Sequence, residues 1–130
     1  WGGSINAVKI KRVIPLWNVN VKDPITTAPA IGDGKIIVGT SRGYVIALDQ
    51  ETGAELWRFE TKGGTVLAKP VISDGLVFAG AGHGNVYVLN VEDGSIKFVT
   101  GAGGGIEQTP AVYDGVFYFG NSGGYLYAVQ

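Results

Sequence analysis

Short apolar runs, each closed off by glycine or aspartate, recur along the whole chain. Lys35–Gly39 (KIIVG) and Tyr44–Asp49 (YVIALD) are rich in β-branched and aromatic residues and are flanked by turn formers. Such runs predict strands. No segment carries a helical period, so the pattern predicts an all-β chain. Asp33–Gly34, Asp74–Gly75 and Asp114–Gly115 each stand between two apolar runs. Both residue types tolerate the positive φ of a type I′ turn, so each pair predicts a tight hairpin.

The pattern repeats. Ala28 to Trp57, Lys69 to Phe98 and Thr109 to Gln130 share marks in register. Pro29, Pro70 and Pro110 align, as do Gly39, Gly80 and Gly120, with steps of 41 and 40 residues. Gly43, Gly84 and Gly124 follow in the same register. An offset of 40 also places Gly3 on Gly43, Ala7 on Ala47 and Trp17 on Trp57. Each unit reads as four strands. Strand A surrounds the proline and ends at the Asp-Gly turn, B is Lys35 to Gly39, C is Tyr44 to Asp49, and D is Ala54 to Glu60. Four short strands in a period of about 40 predict propeller blades.

The units divide the chain at 1–23 (strands C and D), 24–63, 64–105 and 106–130 (strands A, B and C). This is about three blades, two full and two partial, and thirteen strands in all. The Gly101 to Gly105 run falls between units as a linker and lacks the Lys-Ser/Thr pair of a phosphate loop.

Composition narrows the functions open to the chain. Hydrophobic residues make up 45% and charged residues 16%, which excludes a disordered, solvating chain. The 22 glycines follow no three-residue period, so the chain is not collagen-like. Net charge is −1, and the densest basic run, Lys9, Lys11 and Arg12, is too short for a phosphate-binding stripe. No nucleic-acid partner is expected. With no cysteine there is no disulfide or thiolate chemistry. No apolar run is long enough for a transmembrane helix. The chain starts at Trp1 and contains no methionine, so a processed protein or an excerpt of a longer one is expected.

The segment Ala47-Leu48-Asp49-Gln50-Glu51-Thr52-Gly53-Ala54-Glu55-Leu56-Trp57 resembles the tryptophan-docking motif of the quinoprotein-like, pyrroloquinoline-quinone-type β-propeller repeat family, which includes a BamB-like branch. The resemblance implies that Asp49, Thr52 and Gly53 shape the C-to-D turn and that Trp17 and Trp57 dock between neighbouring blades. Burying an indole removes about 150–250 Å² from water, roughly 4–6 kcal/mol at most. Other copies depart from the motif. Asn90 and Asp93 replace the Asp and Thr, and Phe98 stands in place of tryptophan. Lys9, Arg12 and Val13 replace the Asp, Thr and Gly near the N-terminus, and Pro15 lies inside that D strand. The N-terminal half-blade is therefore expected to be the least regular.

Some members of the family are dehydrogenases that hold a quinone and a calcium ion. Fold does not decide that question. A calcium site needs six to eight converging oxygen ligands. Asp33, Asp74 and Asp114 fall in hairpin turns, Asp49 and Asp93 near C-to-D turns, and nothing in the sequence gathers the rest. His83, the one histidine, sits between Gly82 and Gly84 and reads as a polar turn residue. No serine has a histidine base or a nucleophile elbow at motif spacing. No catalytic, cofactor-binding or metal residue is expected, and no cofactor.

Unpaired strands at both ends predict association. The expected function is a non-enzymatic scaffold or protein-interaction module, partnered by another protein or by copies of itself, as an oligomer or as part of a larger propeller. One alternative is a self-assembling subunit, with the strand from Arg12 to Val19 completing the C-terminal blade of the next copy. The other is a fragment of a quinoprotein dehydrogenase. The resemblance implies an extracytoplasmic setting (periplasm, cell surface or secreted).

Overall fold

The computed structural model describes residues 2–9, 14–62 and 64–130. They form thirteen strands and, among the described residues, no helix. The strands are β1 (Ser4–Lys9), β2 (Ile14–Asn20), β3 (Ala30–Gly32), β4 (Lys35–Gly39), β5 (Tyr44–Asp49), β6 (Glu55–Glu60) and β7 (Val71–Ser73). They continue as β8 (Leu76–Gly80), β9 (Asn85–Asn90), β10 (Ile96–Gly101), β11 (Ala111–Tyr113), β12 (Val116–Gly120) and β13 (Leu126–Val129).

Four antiparallel sheets result, ordered β1-β2, β3-β4-β5-β6, β7-β8-β9-β10 and β11-β12-β13. These are the blades of a partial β-propeller. Strands β3, β7 and β11 hold the A position, and β7 contacts both of the others. Strand A is shorter than the sequence suggests. Pro29, Pro70 and Pro110 precede it rather than lying within it. A proline has no N–H to give to strand B, so pairing starts one residue later. The D strand expected from Arg12 begins, among the described residues, at Ile14.

The hairpins follow from local backbone chemistry. Asp33 and Gly34 have φ of 52° and 73°, and the pairs at Asp74 and Asp114 match them closely. That is the left-handed region at both central residues, whose twist suits the flanking strands.

A shared irregularity marks every C–D pair. Ala7 faces Trp17 but Val8 faces Pro15, which leaves Leu16 as an extra residue. Leu56 and Lys97 are the extra residues in the next two sheets. Such a bulge raises the local twist and re-aims the side chain that follows. Here that residue is Trp17, Trp57 or Phe98. The register break in the N-terminal sheet is therefore one that the other two sheets share.

The core lies between sheets. Ile36, Val38, Ile46 and Leu48 pack against Trp17 and Val19 of the N-terminal sheet. Ile37, Val45 and Ala47 on the opposite face meet Val77, Ala79, Tyr87 and Leu89. Phe78, Val86 and Val88 then meet Phe117, Phe119 and Tyr127. Alternation along strands B and C gives each blade two apolar faces, one for each neighbour.

Candidate interaction site at the blade flanks

Contacts between neighbouring blades set the geometry of the open flank. The Trp17 indole lies over Gly53, where an added β-carbon would be 2.6 Å from the ring. Its N–H donates to the Gln50 carbonyl at 3.2 Å. Trp57 repeats this one blade on. It covers Gly94, with an added β-carbon at 2.5 Å, and donates to the Val91 carbonyl at 2.9 Å. Gly53 and Gly94 have φ of 77° and 75°, so glycine here serves both the turn and the close approach.

The turns under these indoles are held by side chains. Asp49 accepts the N–H groups of Glu51 and Thr52, both at 2.9 Å. Those bonds, the Thr52 amide first, hold the Asp49 carboxyl below its ordinary value. Thr52 Oγ1 accepts the Ala54 N–H. In the next blade Asp93 accepts both the hydroxyl and the N–H of Ser95, and its carboxyl is also lowered, chiefly by the hydroxyl. Asn90 donates to the Ser95 hydroxyl at 2.8 Å. The altered motif keeps the same turn, with Gly94 N–H bonded to the Asn90 carbonyl at 2.8 Å.

A second kind of contact has no obvious mark in any one repeat. The segment leading into each blade presses an aliphatic side chain onto a glycine of the blade before. Val66 sits on Gly39 and Ile106 on Gly80; a β-carbon at either glycine would be 2.3 Å from the aliphatic carbon. The same segments tie both blades by backbone bonds. Val66 N–H donates to Thr40 and Ile106 N–H to Ala81, while Thr65 and Gly105 accept from Gly82 and Ser122. Tyrosine hydroxyls add a further tie, from Tyr87 to the Thr61 carbonyl and from Tyr127 to the Ala102 carbonyl. Only the recurrence of Gly39 and Gly80 at a fixed step hinted at this.

Position by position, the outward face of the C-terminal sheet is another inter-blade face. Tyr118, Leu126 and Ala128 hold the positions of Ile37, Val45 and Ala47 in the second sheet. Those three are 0% exposed under the third sheet, whereas Tyr118 is 37% and Leu126 78% exposed. Gly120 has nothing closer than the Tyr125 carbonyl, 3.7 Å from an added β-carbon. Phe98 is 47% exposed and borders an apolar cleft of about 310 Å³ with Leu76, Val88, Phe117 and Val129. Among the described residues, β13 pairs with β12 alone.

The other expected site residues are placed as follows. Asp33, Asp74 and Asp114 are exposed at hairpin tips. His83 is exposed in a B–C turn, with Nε2 3.4 Å from the Tyr87 hydroxyl. Asp23 is buried and engaged by Ser41 and by the Arg42 N–H. Among the described residues no three or more acidic, histidine or cysteine side chains gather as a metal would need. Lys11, Arg12 and Val13 lie outside the described residues. No helix among the described residues is long and apolar enough to cross a membrane.

Comparison with known proteins agrees with this architecture. The family model of the outer membrane protein assembly factor BamB matches residues 2–130. BamB from Moraxella catarrhalis superposes with a TM-score of 0.87 at 26% identity, over 98% of this chain and 39% of that one. The computationally designed Ika4 protein gives the same TM-score at 21% identity, over 98% of this chain and 79% of the design. Quinohemoprotein alcohol dehydrogenase ADH-IIG of Pseudomonas putida is 36% identical over 48% of this chain. The chain spans only 10% of that enzyme's length. The match along nearly the whole length, on a fold of repeated four-stranded blades, places the chain in the BamB family of quinoprotein-like β-propeller repeat proteins.

Proposed function

We propose that this chain is part of a non-enzymatic β-propeller scaffold that binds protein partners. The observation that carries the reading is the match of the BamB family model to residues 2–130, together with the superposition on BamB at a TM-score of 0.87. In this reading units 24–63 and 64–105 are full blades, and 1–23 and 106–130 are partial ones. Trp17 and Trp57 are the docking residues that couple them, and Phe98 holds the same position in the third sheet. An extracytoplasmic setting goes with the family.

The carboxylates support the same reading, because Asp49, Asp93 and Asp23 are each committed to nearby N–H or hydroxyl groups. A second reading, a fragment of a quinoprotein dehydrogenase, draws on the likeness to the Pseudomonas enzyme. Thermal melting with pyrroloquinoline quinone and calcium separates the two. The scaffold reading expects an unchanged midpoint at any concentration of either. A saturable rise, as a ligand of the folded state produces, would favour the enzyme fragment.

A further inference from the structure

We propose that the three A–B hairpin tips, Asp33–Gly34, Asp74–Gly75 and Asp114–Gly115, are sites of spontaneous isoaspartate formation, and that the fold withholds Asp93–Gly94 from the same reaction. These are the four Asp-Gly pairs of the chain. In each, the glycine amide nitrogen can attack the aspartate Cγ. The new bond joins N to Cγ, the N–H and C–OH bonds break, and water leaves behind a cyclic imide. Water then reopens the ring. Addition at Cγ restores aspartate. Addition at the main-chain carbonyl carbon gives isoaspartate, with one extra carbon in the backbone. Water is the only co-reactant, and nothing is oxidised or reduced. Glycine suits the nucleophile because no β-carbon crowds its nitrogen.

The hairpin tips leave the reacting groups free. Asp33, Asp74 and Asp114 are exposed, and so are the glycines that follow them. A β-carbon added at Gly34, Gly75 or Gly115 meets nothing within 4 Å, so the approach is uncrowded. Among the described residues, the N–H groups of these glycines donate to no carbonyl, and no cation pairs with the three carboxylates. The bonds that do reach the tips, from the Gln50 and Val91 N–H groups, end on the carbonyls of Gly34 and Gly75 and leave their amides untouched. The aspartates stand at φ of 52°, 51° and 50°, a left-handed conformation that strains an L residue. Strand A pairs with strand B over three residues in each sheet, so little beyond the turn resists the rotation that ring closure needs. Asp74–Gly75 belongs to a sheet packed on both faces, so its exposure is not a property of the chain's ends.

Asp93–Gly94 has the same two residues in a C–D turn, and there every reacting group is engaged. Asp93 Oδ1 accepts the Ser95 hydroxyl at 2.6 Å and the Ser95 N–H at 2.9 Å. The Gly94 N–H is committed to the Asn90 carbonyl at 2.8 Å. Gly94 is buried, with the Trp57 indole 2.5 Å from an added β-carbon. The carboxyl must carry its proton for water to leave, and the Ser95 hydroxyl, ahead of the Ser95 amide, holds Asp93 below its ordinary value. Ring closure here must break those bonds and lift the indole. The inter-blade contact that docks the tryptophan therefore also shields the peptide bond beneath it.

The test is to age the whole chain in neutral buffer, folded in one sample and unfolded in concentrated urea in the other. Each sample is then mapped with a protease that cuts before aspartate and not before isoaspartate. In the folded chain each hairpin tip is expected to carry at least fivefold more isoaspartate than Asp93–Gly94. In urea the four pairs should agree within about twofold, because the shielding of Asp93–Gly94 is lost with the fold. Folded tips that fall short of the fivefold excess would overturn the proposal. So would an excess that persists in urea, since it would then belong to the flanking residues and not to the structure.

Discussion

Trp57 and Phe98 hold the same position in successive blades, yet their surroundings differ. Trp57 covers Gly94, while Phe98 remains 47% exposed. Trp57→Ala should therefore cost about 3 kcal/mol in urea denaturation, and Phe98→Ala less than about 1 kcal/mol. Equal losses would contradict a role for the indole contact in holding blades together. Asp49 makes a claim about pH. Its folded value is lowered by the Thr52 and Glu51 amides, so the unfolded chain binds the proton more tightly. Its contribution is present above the ordinary value of 3.8 and is lost as pH falls through the lower folded value. Asp49→Asn keeps an acceptor but not the charge, so its stability should fall less steeply below pH 4 than that of the parent. Much at this scale is legible in sequence, because an Asp-Gly pair or an Asx-type turn is decided by residues a few positions apart. The glycine notches are not. Nothing near Gly39 announces that Val66, 27 residues on, will lie against it.

At the level of the strand, order and pairing follow from alternation and turn spacing, and the B and C strands fall where the apolar runs lie. Two features depart from that simple reading. Each proline stands outside strand A, for want of an N–H. Each D strand carries a bulge at Leu16, Leu56 or Lys97. Periodicity does not reveal a bulge, since an extra residue on an exposed outer strand leaves the buried positions of strands B and C untouched. The bulge has a measurable consequence. Leu56 is 46% exposed, so Leu56→Ala should change the melting temperature little. Deleting Leu56 removes the extra residue and pulls the turn at Asp49 out of register with Trp57. The deletion should lower the melting temperature several-fold more than the substitution. Equal effects would show that the bulge does not set the position of the indole.

Across the whole molecule the two flanks are unlike. The N-terminal sheet turns Asn6 and Asn18 outward, paired to each other. The C-terminal sheet turns out Tyr118, Leu126 and Ala128. In a repeat array each unit is stabilised by its neighbours, so the sheet with one covered face should be the least protected. The partial blades at the ends are legible from the repeat phase. The polarity of the flanks emerges only when strands are paired and faces assigned. Amide hydrogen exchange tests the central claim, that each blade is held by its neighbours, most directly. Strands β4, β5, β8 and β9, covered on both faces, are expected to exchange more slowly than β12 and β13, covered on one. Equal protection in β12 and β13 and in the central sheets would contradict it.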